Sequence, residues 1–260
     1  MLDKRGQITL FIFAGIVVLL VVGTLLFFNY RLTKEKLPEE KILSTLDVTK
    51  IKNYIDSCIE KTGNDAIDLV SKQGGYYALP EDSIYNTAYY FYLGEPLIPP
   101  ITTIESELSS YMEDRLPLCI EDFKPFKEQG FDITAESLHA AAIIGEKDVL
   151  FNIDYPIIIK KRDSIAEMDK FSLESGSSLK KMYDAAAELI EKQQQDPDFI
   201  LISEIIDIGD KYNITFDTEE DDEGNVIYHL VDREPSISEF PELEPEEKHY
   251  EFLFAARYKK

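Results

Sequence analysis

An apolar run near the amino terminus constrains this chain more than any other feature. From Ile8 to Phe28 the sequence carries twenty-one residues without a charge, and sixteen of them are Leu, Ile, Val or Phe. A helix of that length extends about 30 Å, the thickness of the hydrocarbon core of a bilayer. At about −0.3 to −0.6 kcal/mol each, the sixteen side chains favour insertion by roughly 5 to 10 kcal/mol. The run predicts a transmembrane helix over residues 8–30.

The residues around this run indicate that the helix stays in the membrane. A cleaved signal peptide has an apolar region of about 7–15 residues followed by a small-x-small site. Here the run ends in "FFNYRLTK", which offers no such site. Basic residues flank both ends: Lys4 and Arg5 before the run, and Arg31, Lys34 and Lys36 after it. The basic residues therefore do not set the orientation, and we expect residues 1–7 to form a short cytoplasmic head while the large remainder is outside.

The stretch "KRGQITLF" resembles the class III signal of archaeal type IV pilin-like proteins. The resemblance implies that a prepilin peptidase cuts between Gly6 and Gln7, with Thr9 at the family's Ser/Thr position. The apolar helix would then become the core of a filament, and the chain would self-assemble through it. Phe11 stands where the family pattern usually has Glu, so the run has no carboxylate to pair with a neighbour's amino terminus.

A second resemblance covers residues 54–77, "YIDSCIEKTGNDAIDLVSKQGGYY", and the terminal "FLFAARYKK". Together with the apolar run, these segments are similar to uncharacterised single-pass membrane proteins of small-genome archaea of the DPANN kind. The resemblance implies a membrane location and a single-pass architecture, and it implies no activity.

The remainder of the chain predicts an α+β domain with a mostly antiparallel sheet and packed helices. Residues 31–47 form a charged spacer and the start of a stalk helix, and residues 48–260 form the extracytoplasmic domain as one unit or two. Helical spacing of apolar residues from Val48 to Val70 predicts a helix that Gly74 and Gly75 stop. The other predicted elements are a strand near residues 85–92, a helix capped by Thr103, strands within 131–161 around a turn at 145–147, a helix from Ser177 that ends before Pro197, a hairpin within 211–232 and a closing strand at 250–258. Helices and strands follow one another in the order typical of α+β domains.

The charge of the chain excludes nucleic acid as a partner. The sequence has 27 Lys and Arg against 50 Asp and Glu, for a formal net charge of −23. Nucleic-acid binding requires a basic footprint, which this composition does not provide. Thirteen acidic residues lie between Asp217 and Glu247, where Arg233 is the one basic residue. We interpret this region as a solvated, mutually repelling surface.

The two cysteines, Cys58 and Cys119, predict either a disulfide or two buried free thiols. A bridge would close a loop of about sixty residues and contribute about 4 kcal/mol by the chain-entropy estimate. Disulfides persist outside the cytoplasm. Because an even count accompanies an export-like anchor, we favour the bridge, and it supports the outward orientation.

One short pattern resembles catalytic chemistry. Ser177 with Lys180, and Ser178 with Lys181, match S-x-x-K, the spacing that places a Lys amine one helical turn from a Ser nucleophile in penicillin-binding proteins. The triplet at residues 61–63, Lys-Thr-Gly, lies upstream rather than downstream, and S-D-N is missing. A helix N-cap at Ser177 explains the same letters. We therefore predict no catalytic residues and keep a surface hydrolase as the least favoured alternative.

Metal and cofactor motifs are also missing from the sequence. The three histidines are far apart: His139, His229 and His249. Asp217, Glu219 and Asp221 alternate as in a calcium loop, but without its required order and distant Glu, so an acidic hairpin tip is the better interpretation. No glycine-rich phosphate loop is present. We predict neither a metal nor a cofactor.

Two further features concern the surface. The aromatic run at Tyr85, Tyr89, Tyr90, Phe91 and Tyr92 predicts a strand with one buried face, or alternatively an aromatic surface for carbohydrate or peptide. Asn213 begins an N-glycosylation sequon, which is usable only outside the cell.

Together these features predict a non-enzymatic, single-pass protein of the cell membrane. The bilayer would hold it through residues 8–30, and the acidic domain would contact a protein or envelope partner. The alternative is a pilin-like filament subunit processed before Gln7.

Overall fold

The computed structural model describes residues 41–42, 45–198, 200–234 and 249–258. The chain divides into two units, residues 1–42 and 43–260, and in the first unit only the two-residue strand β1 (Lys41–Ile42) is described. The expected membrane helix at residues 8–30 and the expected processing site at Gly6 and Gln7 lie outside the described residues. Within the described part of the chain, no helix combines the length and the apolar character that a bilayer crossing requires.

The helices described in the second unit are α1 (Thr45–Lys72), α2 (Ile101–Ile120), α3 (Lys124–Lys127), α4 (Leu179–Gln193) and α5 (Ile202–Tyr212). Three of them, α1, α2 and α4, lie close to the predicted places, whereas α3 and α5 were not predicted. Side chains on one face of α1 are buried: Ile51, Ile55, Ile59, Ala66 and Val70. Gly75 has a φ of 89°, and its N–H donates to Val70 O over 2.8 Å, so the glycine pair ends α1 as predicted.

The first sheet consists of one long hairpin with two short strands along its edge. Its strands are β5 (Asp132–Ala135), β6 (His139–Ile144), β7 (Asp148–Lys161) and β8 (Ser164–Gly176). β7 and β8 pair antiparallel, and β5 and β6 pair one after the other with the opposite edge of β7. Along β7, alternate residues from Val149 to Ile159 are buried, and the residues between them face outward or are half-buried. One face of this sheet therefore contributes to the core.

The second sheet gathers strands from both ends of the domain. Its strands are β2 (Ser83–Ile84), β3 (Thr87–Tyr92), β4 (Glu95–Pro96), β9 (Ile214–Glu220), β10 (Asn225–Asp232) and β11 (Glu251–Arg257). Their order is β2-β3-β11-β10-β9, and β4 also pairs with β3. β3 and β11 run parallel, whereas the other pairs of this sheet are antiparallel.

The predicted class, α+β with mostly antiparallel strands and packed helices, is confirmed, with two sheets where one was expected. The prediction of one buried face for the aromatic strand is wrong, because Thr87 to Phe91 are all buried in the middle of the second sheet. Thr103 is not an N-cap. α2 begins at Ile101 after Pro100, and Thr103 N–H already donates to Pro100 O over 2.8 Å.

Aromatic side chains fill the core beside the second sheet. The ring of Phe254 stacks on Tyr228 at 4.8 Å and on Tyr90 at 5.0 Å. Tyr228 and Tyr258 share a hydrogen bond of 2.5 Å between their hydroxyls, and Tyr258 also donates to Gln193 Oε1 over 3.3 Å. Burial raises the pKa of Tyr258 to about 12. These groups link α4 to the sheet.

Candidate functional site

The two cysteines lie within bonding distance of each other. The sulfur atoms of Cys58 in α1 and Cys119 in α2 are 2.15 Å apart, and their Cα atoms are 5.7 Å apart, as in disulfides. Tyr54, one turn before Cys58, donates its hydroxyl to Cys119 O and Ile120 O, each over 3.1 Å. The pair therefore joins the first two helices of the domain.

The most concentrated polar cluster surrounds Asp232 at the end of β10. Its side chain is only 2% exposed. Ser178 donates its hydroxyl to Oδ2, Lys181 Nζ lies 2.7 Å from Oδ1, and Glu234 N–H donates to Oδ1 over 3.0 Å. His249 Nδ1 lies 2.7 Å from the carbonyl oxygen of Asp232. The carboxylate of Asp232 thus binds the start of α4 and Glu234, and its carbonyl oxygen contacts His249 on the other side of segment 235–248.

The charge of Asp232 follows from these contacts. Burial raises the pKa of its carboxyl, but the hydrogen bonds from Lys181, Ser178 and the Glu234 N–H lower it by more. The net pKa is below the ordinary value of about 4 for Asp. Asp232 is therefore an ionised group at neutral pH, neutralised locally by Lys181.

The contacts of Asp232 involve Ser178 and Lys181, the second serine–lysine pair that matches S-x-x-K. Ser178 and Lys181 are brought together, but each binds the Asp232 carboxylate, and among the described residues no hydrogen bond joins the two directly. A Ser nucleophile requires its proton to pass to a base. Here the Ser178 proton points to an anion that already carries an ammonium partner. The cluster therefore holds the start of α4 against the end of β10 and does not form a nucleophile with its base.

The other members of the pattern have separate positions. Ser177 accepts the N–H of Leu179 over 3.1 Å. Lys180 pairs with Asp184 one turn further along α4, where both side chains are partly buried. The triplet at residues 61–63 lies inside α1 rather than on a strand. The structure therefore gives the first Ser-Lys pair no common partner.

An open groove of about 730 Å³ lies between α4 and α5. Five of its eleven lining residues are acidic, among them Glu188, Glu191 and Glu204. Lys192 pairs with Glu204, and Lys211 donates to Glu188 over 2.6 Å, which lowers the pKa of Glu188. The ammonium groups near the groove are thus engaged.

The acidic tip between β9 and β10 is a tightly bonded turn. Asp221 accepts the N–H groups of Glu223 and Asn225, each over 2.9 Å, and the side-chain amide of Asn225 over 2.7 Å. These bonds lower the pKa of Asp221. Tyr85, 68% exposed, donates its hydroxyl to the same carboxylate over 3.3 Å. The turn uses the carboxylate oxygens that a calcium loop would offer to the ion.

Only two of the five aromatic residues predicted to form a surface, Tyr85 and Tyr92, are accessible to solvent. Tyr90 and Phe91 are fully buried, and Tyr89 is nearly so. Tyr85 stands at the turn before β3 with a φ of 50°, and Tyr92 lies half-buried at the end of the strand. One accessible tyrosine therefore lies before β3 and the other at its end.

The histidines and Asn213 are distributed over the domain. His139 lies 3.9 Å from Glu113, His229 lies 3.7 Å from Glu251, and His249 belongs to the Asp232 cluster. In the part of the chain that the structure describes, no group of three or more His, Cys, Asp or Glu could hold a metal ion. Asn213 is exposed after α5, where its side chain donates to Glu234 over 3.3 Å.

Comparisons with protein-family models, curated proteins and solved structures find no match to this chain. The site must therefore be judged from its own residues. Sequence reasoning missed Asp232, because one acid in an acid-rich region carries no local signal. Its position at the end of an alternating apolar strand, Val226 to Leu230, was the one available hint.

Proposed function

We propose that this chain is a membrane-anchored, non-enzymatic protein whose α+β domain lies outside the cytoplasm and contacts a protein or envelope partner. Residues 8–30 supply the anchor in this proposal, on the grounds of their length and apolar composition. The similarity of residues 54–77 to archaeal single-pass proteins supports the same location.

The observation that carries the proposal is the approach of Cys58 to Cys119. Cys58 in α1 and Cys119 in α2 face each other with their Cα atoms 5.7 Å apart, a separation that a disulfide spans without movement of the backbone. A structural disulfide persists in oxidising compartments and is rare in the cytosol. A chain with an uncharged apolar run and a paired set of cysteines is suited to export.

The surface of the domain supports a binding role rather than a reaction. The net charge of −23 favours solubility and basic or cation-bearing partners, and it disfavours nucleic acid. The groove between α4 and α5 gives such a partner a concave acidic surface. If the domain is exported, Asn213 is exposed for glycosylation.

Three measurements on cells that make the protein test this proposal. We expect the chain to remain in alkaline-washed membranes, to lose its domain to protease added outside intact cells, and to take up a thiol reagent only after reduction. The Cys58→Ser, Cys119→Ser double variant is the control for labelling. A chain in the cytosolic fraction that is alkylated without reduction would overturn the proposal.

A filament subunit is the second candidate, and the stretch "KRGQITLF" favours it. In this case the mature chain begins at Gln7, and apolar helices bundle with one another. The intact mass of the membrane protein separates the candidates, because processing removes six residues. A full-length mass, together with sheared cell surfaces that show no filaments, would exclude the subunit.

A further inference from the structure

Tyr85 is the most exposed of the large apolar and aromatic side chains that the structure describes, at 68%. It stands in the two-residue turn between β2 and β3, where Tyr85 and Asn86 have φ values of 50° and 61°. A bulky side chain at positive φ is uncommon and strains the backbone. Burial does not offset this strain here, and the Tyr85 hydroxyl instead donates to Asp221 Oδ2 over 3.3 Å. The turn therefore presents an exposed ring beside the acidic turn from β9 to β10. We call Tyr85 and residues 219–223 the aromatic–acidic edge.

A row of residues across the end of the second sheet continues from this contact. Asp221 accepts the side-chain amide of Asn225 over 2.7 Å. Asn225 lies opposite Arg257 in β11, and Arg257 lies opposite Tyr92 in β3. The guanidinium carbon of Arg257 is 5.9 Å from the centre of the Tyr92 ring, close enough for the ring face to attract the cation. The chain thus already holds one cation against a tyrosine at this end of the sheet.

The aromatic–acidic edge remains negative after the neighbouring bases are counted. Asp221 is bonded within the turn, and four exposed carboxylates beside it form no ion pair among the described residues: Glu219, Glu220, Asp222 and Glu223. Glu95, opposite Tyr92 in the pairing of β4 with β3, brings the acids to six. Arg257 is the neighbouring base, and two lysines follow it at 259–260, so counting both gives three bases against six acids.

The negative charges of the turn reach the ring of Tyr85. Asp221 raises the pKa of the Tyr85 hydroxyl most, by its charge and by accepting the hydrogen bond. Glu223 and Asp222 raise this pKa further. A group that approaches the exposed ring therefore enters the field of three carboxylates.

We infer that the aromatic–acidic edge binds an arginine or lysine side chain in an exposed segment of a protein partner. The face of the Tyr85 ring attracts a cation, and the free carboxylates beside it accept the hydrogen bonds of a guanidinium or ammonium group. A second copy of this chain is a poor occupant, because it brings its own excess of acids to the contact. A neutral carbohydrate would stack on the ring but leave the charges unmatched. The inference rests on the binding role proposed above and names the chemistry of the partner's contact.

Two peptides that differ only in charge test the inference on the full-length chain in nonionic detergent, at about 0.15 M NaCl. One peptide is an arginine–serine repeat, and in the other citrulline replaces each arginine. Both carry a neutral dye, and fluorescence anisotropy measures their dissociation constants.

Three variants locate the contact. Tyr85→Asn removes the ring, and asparagine tolerates the positive φ of the turn. Asp222→Asn with Glu223→Gln removes two free carboxylates of the aromatic–acidic edge. The matched control, Glu191→Gln with Asp196→Asn, removes two exposed carboxylates from the groove between α4 and α5. Thermal unfolding verifies that each variant is folded.

We expect the wild type to bind the arginine peptide about tenfold more tightly than the citrulline peptide. Tyr85→Asn should weaken the arginine peptide about two- to fivefold, the effect of one exposed cation–π contact, and leave the citrulline peptide unchanged. Asp222→Asn with Glu223→Gln should weaken the arginine peptide about threefold, and more than the groove variant does.

An arginine peptide that binds Tyr85→Asn as tightly as the wild type would overturn the inference. An equal or larger loss in the groove variant than in the Asp222 and Glu223 variant would also overturn it, and the proposed binding role would then belong to the groove. A chain found in the cytosolic fraction would instead overturn the proposed location, and the dissociation constants of the peptides would be unaffected.

Discussion

At the scale of single residues, Asp232 is the group on which most of the local structure depends. It is buried, ionised and bound to Lys181 and Ser178 from α4 and to Glu234 from its own segment. A buried charge is tolerated when its partners are in place and is costly once one of them is removed. This residue therefore contacts Glu234 and His249, which flank segment 235–248, as well as the helix.

Replacing Lys181 tests this role. Lys181→Met leaves the Asp232 carboxylate without its cation, and we expect the free energy of unfolding to fall by about 3 kcal/mol. Lys180→Met is the matched control, because its partner Asp184 keeps 34% of its side chain exposed, against 2% for Asp232, and an i,i+4 helix pair contributes only about 0.5 kcal/mol. Thermal unfolding of the full chain in detergent measures both, and equal losses would contradict the assignment.

The acid dependence of stability tests the ionisation of Asp232. The pKa of Asp232 is lower in the folded protein than in the unfolded chain. Its ionised carboxylate therefore adds to the free energy of unfolding above about pH 4, and this stabilisation is lost as the pH falls through the pKa of the folded state. We expect unfolding temperatures of Asp232→Asn to fall less steeply between pH 4 and pH 2 than those of the wild type. Asp210→Asn, at a side chain 70% exposed, should keep the wild-type slope. Parallel curves for Asp232→Asn and wild type would refute the expectation.

At the scale of elements, the domain is fastened where helices end. α1 ends at Gly74 and Gly75, and Gly74 makes a close approach to Ala88 in β3. Cys58, midway along α1, pairs with Cys119 in the last turn of α2. These contacts determine how the helical pair meets the second sheet.

Gly75→Ala tests the end of α1. Its φ of 89° is strained for alanine, and a Cβ there would lie 2.9 Å from Ile104. We expect a loss of about 2–3 kcal/mol, since strain and overpacking each cost about 1 kcal/mol or more. Gly130→Ala has a similar φ of 82° with no atom within 4 Å, so it isolates the strain, at about 1 kcal/mol. Chemical unfolding measures the free energy of unfolding of both variants. Equal losses would show that Ile104 moves away from the new Cβ without cost, and would contradict the expected overpacking.

The cysteine pair tests how strongly α1 is tied to α2. The bridge spans a sequence separation of 61 residues. Cys58→Ser combined with Cys119→Ser should lower stability by about 4 kcal/mol, or the unfolding temperature by about 8–16 °C. Reductant should lower the wild type by a similar amount and leave the double variant unchanged. A wild type insensitive to reductant under unfolding conditions would contradict the bridge.

At the scale of the whole molecule, the dominant property is negative charge. The chain carries fifty acidic residues against 27 basic ones, the excess acids repel one another, and salt screens the repulsion. Buried pairs such as Lys181 with Asp232 are screened far less. The surface, rather than the core, should therefore respond to ionic strength.

Salt should stabilise the domain. Between 0.1 and 1 M NaCl the screening length falls from about 10 Å to about 3 Å, and we expect the unfolding temperature to rise by about 3–6 °C. Neutralising exposed acids at the β9–β10 hairpin, with Glu219→Gln, Glu220→Gln and Glu223→Gln, should raise the temperature at low salt and shrink the response. If salt lowers the unfolding temperature, repulsion is not what limits stability.

The sequence predicted an element correctly where the apolar residues of that element repeat with the period of a helix or of a strand. Helical spacing predicted α1, and Gly74 and Gly75 predicted its end. Alternation predicted β7, and a cluster of acids between two apolar runs predicted the turn from β9 to β10. β8 was missed because its pairing with β7 shifts between Asp154 and Ile157, which breaks the alternation. α5 was missed because four isoleucines in seven residues, two of them exposed, blur the helical face.

The sequence by itself determined the net charge, the periodic elements and the grounds for expecting a membrane anchor, since composition and spacing are local properties. Only the tertiary structure decided that β11 lies parallel to β3 and that Asp232 meets Ser178 and Lys181 from more than fifty residues away. It also decided that Lys161 lies beside Asp47 at the start of α1. The physical reason is that such partners are chosen by burial and charge pairing among distant segments. The energies of burial and charge pairing depend on how all the segments pack together, so they cannot be read from a short stretch of sequence.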